Sequence, residues 1–135
     1  MSTSILASEF VTDTMGLVLR IERRKMGSNT VSIFDSVESG NTVIYIPTLV
    51  FAEILYLSEK SRISASLSSV ASYLKQYPNY KESPMSLSVV EAAEQITDIR
   101  ELHDRLIAGT ARSLDRELIT NDPVIQASIF VKTIW

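Results

Sequence analysis

Strand-like segments alternate with amphipathic helical segments along the whole chain, and this alternation constrains the fold more than any other feature of the sequence. The predicted strands occupy residues 10–12, 43–46, 81–86 and 118–119, and the runs 129–131 and 133–135 together predict a last strand. The run at 43–46 is unbroken and apolar, as is usual for a strand buried on both faces. Strands that alternate with helices form βαβ units. The sequence therefore predicts an α/β fold with a mainly parallel sheet covered on both faces.

The helices are predicted from apolar residues that recur every three or four positions. The first follows residue 13 and ends in the charged cluster 22–25, and the second is capped within 28–30 and stops at Gly40. The third runs from residue 48 to about 60, and the fourth is capped within 61–64. Two more cover 89–96 and 102–114, and a helical turn covers 123–128. With no repeat or linker, residues 1–135 are expected to form one domain.

Composition excludes several classes of protein. Hydrophobic residues make up 45 % of the 135 residues, too many for a disordered chain. The chain has no cysteine, which excludes disulfides, zinc–thiolate sites and cysteine nucleophiles. The first 13 residues lack the basic and apolar regions of a signal peptide, and no apolar run is long enough to span a bilayer. A cytoplasmic protein without membrane association is expected.

Four acidic residues fall where a parallel sheet would place a functional site. Asp13 follows the first strand and Asp122 follows the strand at 118–119, while Glu53 and Asp104 lie in the first part of their helices. Open α/β sheets bind ligands at the carboxyl ends of their strands, so all four can reach the same rim.

Each acid also has a purely structural explanation. Asp13 can cap a helix, and Asp122 can cap one that begins with Pro123. Asp104 lies where the helix dipole favours an acid, although it shares a face with the apolar residues of its helix. Glu53 has apolar neighbours on both sides, so burial is expected, and its carboxylate would then be paired with an arginine, neutralised or bound to a cation.

The combination of four carboxylates limits which metal ion could bind and which reaction it could support. Four such groups at one rim raise each other's pKa unless a cation is present. Oxygen ligands without histidine or cysteine favour Mg²⁺ or Mn²⁺ over zinc. Such ions can activate water and stabilise the leaving oxygen in phosphodiester cleavage.

The other charged residues are interpreted more simply. His103 is interpreted as a surface or capping residue, and Asp98, Glu101, Asp115 and Glu117 as solvated charges. The cationic group Arg20, Arg23, Arg24 and Lys25 steers RNA, contacts an acidic partner or forms an ordinary helix end.

Four motifs resemble the PIN-domain ribonucleases, and among them the VapC-type toxins of toxin–antitoxin pairs. They are FVTDT, PTLVFAEILYL, LHDRLIAGTA and LITNDPVI, and together they span nearly the whole chain. The resemblance implies a three-layer α/β/α domain with a five-stranded parallel sheet and a metal-dependent endoribonuclease. It further implies an RNA substrate, a homodimer, and a protein antitoxin whose C-terminal segment covers the site. By resemblance, the catalytic and metal-binding acids are Asp13, Glu53, Asp104 and Asp122, supported by Thr14 and Thr120.

Two positions depart from the family pattern. Met15-Gly16 stands where small or aromatic residues are commoner, and Gly109 lies inside a helix at a cost of about 1 kcal/mol relative to alanine. Neither position removes a predicted ligand.

Other functions are compatible with an acidic rim. A phosphoacceptor domain would need an aspartate on a middle strand and a lysine after a late one, but the strand at 43–46 is followed by Pro47, and Lys132 falls within the last predicted strand segment. A D-x-D-x-T phosphatase is excluded by Met15 and Leu17. A PIN domain that only binds a partner is the remaining alternative.

Overall fold

Five parallel strands form one sheet in the order β3-β2-β1-β4-β5. The computed structural model describes residues 8–135, and residues 1–7, part of the segment expected to lack a signal peptide, lie outside the described residues. Val11 of β1 stands opposite Tyr45 of β2 and Leu118 of β4 in the register of the sheet. The predicted five-stranded parallel sheet is confirmed. Its strands are β1 (Glu9–Thr12), β2 (Val43–Pro47), β3 (Tyr80–Ser83), β4 (Glu117–Ile119) and β5 (Thr133–Ile134).

Helices connect the strands and cover both faces of the sheet. Phe10 and Val11 point to opposite faces of β1, as adjacent strand residues do, and both are buried. Leu118 and Ile119 of β4 are buried in the same way, which makes this an α/β/α arrangement. Residues 8–135 contain α1 (Thr14–Ile21), α2 (Ser28–Glu38), α3 (Thr48–Glu59), α4 (Leu67–Gln76), α5 (Leu87–Gln95), α6 (Leu102–Leu114) and α7 (Pro123–Gln126). Within that range no helix is both long and apolar enough to cross a membrane.

Several predicted boundaries were wrong. The N-cap of α2 is Gly27, which makes no side-chain hydrogen bond, so the predicted cap within residues 28–30 is not formed. The N-cap of α4 is Ser66, whose hydroxyl accepts a hydrogen bond from the Ser69 N–H, and not a residue within 61–64. Residues 129–131 form no strand, and the side chain of Ile129 is 86 % exposed.

Gly109 has a packing role that outweighs its low helix propensity. A Cβ atom at Gly109 would lie 2.9 Å from the Cβ of Ala93 and 2.9 Å from the carbonyl oxygen of Val89, both in α5. The missing side chain therefore lets α5 and α6 approach closely, which explains this departure from the family pattern.

Arg20 belongs to the interior and not to a basic surface. Its guanidinium donates to Glu38 at 2.9 Å and to Asp35 at 2.7 Å, and the residue is 7 % exposed. The hydroxyls of Tyr73 and Tyr80 also donate to Glu38. Because the guanidinium is committed to these carboxylates, Arg20 is a structural ion-pair residue, unlike the exposed cluster at 23–25 that follows α1.

Candidate active site

A groove of about 660 Å³ lies beyond the carboxyl ends of β1 and β4. Helices α3 and α6 form its walls, and the start of α1 and the loop after β4 complete it. The four predicted acids, Asp13, Glu53, Asp104 and Asp122, all line this groove, and so does Thr14. A larger cavity of about 1050 Å³ lies at the opposite end of the sheet and contains none of them.

Asp13 is the most rigidly held of the four acids. Its carboxylate accepts a hydrogen bond from the Gly16 N–H at 2.7 Å and one from the Thr120 hydroxyl, and the residue is 8 % exposed. Burial raises its pKa from 3.8 to about 6 against the opposing effect of both hydrogen bonds, and the charges of Asp122 and Asp104 raise it further. Asp13 caps α1, as its structural explanation required, and at the same time presents a carboxylate to the groove.

Gly16 allows this close packing beneath the groove. A Cβ atom there would lie 2.5 Å from the Thr12 hydroxyl oxygen and 3.1 Å from a carboxylate oxygen of Asp13. The unusual glycine in the first turn of α1 is therefore explained by its contact with Asp13.

Asp104 is half-buried in the first turn of α6. Burial raises its pKa from 3.8 to about 6, with further contributions from the charges of Asp122, Glu101 and Glu53. Its backbone N–H donates to the Glu101 carboxylate at 2.9 Å, so Glu101 is the N-cap of α6 and not merely a solvated charge. The sequence signal for this cap was an acidic residue three positions before Asp104, at the point where the helical periodicity begins.

Glu53 is more exposed than its apolar neighbours predicted. The residue is half-buried, and its carboxylate accepts a hydrogen bond from the Thr14 hydroxyl. No salt bridge joins Glu53 to any other residue in the described part of the chain. The prediction of burial was wrong because Leu55 and Tyr56, at 43 % and 52 % exposure, face the surface and the groove instead of the core.

Asp122 and Thr120 connect the end of β4 to the groove. The Asp122 carboxylate accepts a hydrogen bond from the Val124 N–H at 2.8 Å, and Pro123 occupies the first turn of α7, as the capping explanation predicted. The Thr120 hydroxyl accepts a hydrogen bond from the Asp122 N–H at 3.1 Å and also reaches Asp13. One fully buried threonine thus fixes the spacing of two of the acids.

His103 lines the groove, although it was predicted from the sequence to be a surface or capping residue with no role in the site. Its side chain is 54 % exposed, and its Nδ1 atom lies 2.8 Å from the Glu101 carboxylate. That carboxylate raises the pKa of His103. The prediction of exposure is confirmed, and the position beside the acids was missed because adjacent helical residues were expected to face different ways.

The donor set of the groove fits a hard divalent cation. Within residues 8–135, no three acidic or imidazole side chains stand close enough to form a complete metal cage. Mg²⁺ does not need one, since it keeps several waters and binds proteins through one or two carboxylates. The pKa values of about 6 indicate that the anionic forms of Asp13 and Asp104 are disfavoured here, a cost that a bound cation would offset.

Comparison with known proteins gives a match to one family model and to several solved structures. A family model described as PIN domain matches residues 18–128, which contain Glu53, Asp104 and Asp122, while Asp13 precedes the matched segment. A search of curated proteins returned no match.

Solved structures share the fold along almost the full chain. VapBC2 from Rickettsia felis, bound to a DNA fragment from its promoter, has 17 % identity and a TM-score of 0.71, over 94 % of this chain and 98 % of that chain. DNA-bound VapBC from Salmonella typhimurium has 18 % identity and a TM-score of 0.69, over 94 % and 97 %. FitAcB from Neisseria gonorrhoeae has 16 % identity and a TM-score of 0.64, over 93 % and 96 %. At such low identity the similarity establishes the fold.

Proposed function

Because this chain belongs to the PIN domain family, we propose that it is a Mg²⁺- or Mn²⁺-dependent endoribonuclease and the toxin of a toxin–antitoxin pair. The observation that carries the proposal is the convergence of Asp13, Glu53, Asp104 and Asp122 on one groove, where burial and mutual repulsion raise the pKa of two of them to about 6. Four carboxylates in one groove, two of them with raised pKa values, are better explained by a cation than by capping alone.

These four acids would hold the cation, one or two of them directly and the others through its bound waters, with Thr14 and Thr120 as supporting residues. When bound, the ion stabilises negative charge on the phosphodiester and lowers the pKa of a water. Thr14 and Thr120 orient Glu53 and Asp13 through their hydroxyl groups.

Asp104 is the acid best suited to orient the attacking water. The carboxylates of Asp13, Glu53 and Asp122 each accept a hydrogen bond from the protein. Among the described residues none donates a hydrogen bond to the Asp104 carboxylate, because the bond to Glu101 is made by the backbone N–H, so its oxygens are free to accept a water proton.

The proposed partners follow from the family and from the shape of the groove. Several similar structures are toxin–antitoxin complexes, and we propose a protein antitoxin, a homodimer and a cytoplasmic location for this chain too. The groove joins acids to apolar side chains such as Leu49, Ile107 and Ile125, which suits an amphipathic antitoxin segment that carries a basic residue. Co-expression with any small open reading frame found next to the gene, followed by purification and light scattering, tests both associations.

Site-directed variants test the nuclease directly. In a gel assay with single-stranded RNA and Mg²⁺, Asp13→Asn and Asp104→Asn should each reduce cleavage by a factor of about 100 or more, since a ligand or the water-orienting group is lost. Asp115→Asn, at an exposed helix end, is the matched control and should cleave normally, and chelation with EDTA should stop all cleavage. Metal-dependent cleavage by both site variants would overturn the proposal.

A phosphoacceptor function receives no support from the fold. Lys132 precedes β5 and lines the cavity at the opposite end of the sheet from the acids. It is therefore not in a position to contact a phosphorylated aspartate in the groove. A binding-only PIN domain predicts no metal affinity, so a calorimetric titration with Mg²⁺ or Mn²⁺ distinguishes it from the nuclease.

A further inference from the structure

The groove that would bind RNA carries negative charge and needs cations from outside its lining. It contains four acids and one histidine but no lysine or arginine. An RNA backbone brings one negative charge per phosphate, so the flanking nucleotides must be held by positive or aromatic groups near the groove.

Tyr56 and Lys60 provide both kinds of group on the wall formed by α3. Tyr56 lines the groove with 52 % of its surface exposed. The Lys60 ammonium lies 5.7 Å from the centre of the Tyr56 ring and forms no salt bridge with another residue of the described range. Glu53, Tyr56 and Lys60 are spaced three and four residues apart and so share one face of the helix. Lys60 lies about 10 Å from Glu53 along the helix axis, so this face extends from the acids toward the protein surface.

We propose that Tyr56 stacks on an RNA base next to the cleaved bond while Lys60 contacts a neighbouring phosphate. This inference rests on the proposed nuclease function and adds to it the way in which substrate is held. An exposed aromatic ring accepts any base on its face, so the contact favours unpaired RNA without selecting its sequence. An ammonium beside the ring supplies the charge that the groove itself lacks.

The alternative use of this surface is to bind a protein, and the neighbouring Leu55 distinguishes the two. Leu55 is 43 % exposed but does not line the groove. A partner protein that covers this part of α3 would bury Leu55 together with Tyr56, whereas an RNA strand that follows the groove contacts only Tyr56. The favoured occupant is RNA, because the Tyr56–Lys60 pair continues the line of the catalytic groove and carries a positive charge.

Fluorescence anisotropy with a 12-nucleotide, 5′-fluorescein-labelled single-stranded RNA of mixed sequence tests the proposal. The protein carries Asp104→Asn so that the RNA stays intact, and all titrations are made at one fixed Mg²⁺ concentration. Adding Tyr56→Ala should raise the Kd by about 5- to 150-fold, the range expected for the loss of one stacked base. Tyr56→Phe keeps the ring and should bind almost as tightly as the parent.

Charge and neighbour controls complete the experiment. Lys60→Gln should weaken binding and make the slope of log affinity against log salt shallower by about 0.7, the value for one cation on a single strand. Lys132→Gln makes the same charge change at the opposite end of the sheet and should leave the slope unchanged. Leu55→Ala should leave RNA affinity unchanged as well.

The outcomes separate this inference from the function on which it rests. Unchanged RNA affinity in Tyr56→Ala and Lys60→Gln, with normal cleavage when Asp104 is intact, overturns the inference alone. Loss of antitoxin binding in both Tyr56→Ala and Leu55→Ala, with RNA affinity retained, assigns the surface to protein and also overturns it. Absence of RNA binding and cleavage in the unsubstituted protein refutes the nuclease and the inference together.

Discussion

Replacing Asp13 by asparagine should stabilise the metal-free protein at neutral pH, although it reduces cleavage by a factor of about 100 or more. Asparagine has almost the same shape, and its side-chain oxygen can still accept the 2.7 Å hydrogen bond from the Gly16 N–H. What the substitution removes is a buried negative charge. If Asp13 served mainly to cap α1, the substitution would not raise the free energy of unfolding, since aspartate and asparagine are similar N-caps.

The size of the gain follows from the pKa of Asp13. Its carboxyl group has a pKa of about 6 in the folded protein against 3.8 for the ordinary group. The folded state therefore holds a proton that the unfolded state releases between about pH 4 and pH 6, and the free energy of unfolding falls as the pH rises through this window. The loss amounts to about 3 kcal/mol above pH 6. Because Asp13 is only 8 % exposed, solvent screening reduces this value little.

Urea unfolding in EDTA at pH 4 and pH 7.5 measures the effect. Asp13→Asn should exceed the unsubstituted protein by up to about 3 kcal/mol at pH 7.5 and show little advantage at pH 4. The exposed Asp115→Asn should show no comparable pH-dependent gain. Mg²⁺ at 1,000 times its Kd should reverse the order, since it adds about 4.1 kcal/mol to the protein that binds it. An Asp13→Asn protein that is no more stable than the parent at pH 7.5 in EDTA would refute the reasoning.

Two further predictions concern packing away from the groove. Gly109→Ala should lower the free energy of unfolding by about 1–2 kcal/mol, because overpacking against Ala93 outweighs the gain in helix propensity. Urea unfolding measures this change. A rise in stability would contradict the close approach of α5 and α6. Glu38→Gln should lower the free energy of unfolding by about 3 kcal/mol or more, because it leaves the buried Arg20 guanidinium without its main counter-charge. A thermal unfolding transition equal to that of the parent would show that the ion pair is dispensable.

The order of strands and helices could be predicted from the sequence because each element carries its own periodicity. The run at 43–46 and the face shared by Ile107, Ala108 and Ala111 were sufficient to place β2 and α6, and the latter three residues are buried as expected. The common location of the four acids at one rim was predicted in the same way, since the ends of parallel strands and the helices that follow them share one edge of the sheet.

What could not be predicted depends on contacts between distant parts of the chain. Residues 129–131 are apolar enough for a strand, but the Asp98 carboxylate binds the Ser128 hydroxyl at 2.8 Å and the Ile129 N–H at 2.9 Å, which holds this segment as a loop. The exposure of Glu53 was missed for the same reason, because its apolar neighbours border a groove whose opposite wall comes from α6, about 50 residues later in the chain.

The four acids differ in how firmly the protein fixes them, and this difference bears on how a cation would act. Asp13 and Asp122 lie just beyond the ends of β1 and β4, and both contact Thr120, which is fully buried. Glu53 and Asp104 project from helices and are half-buried. Burial is the largest cause of the raised pKa of both Asp13 and Asp104, ahead of any neighbouring charge. A cation in the groove must therefore offset loss of hydration as well as repulsion, and its binding energy contributes directly to the stability of the folded chain.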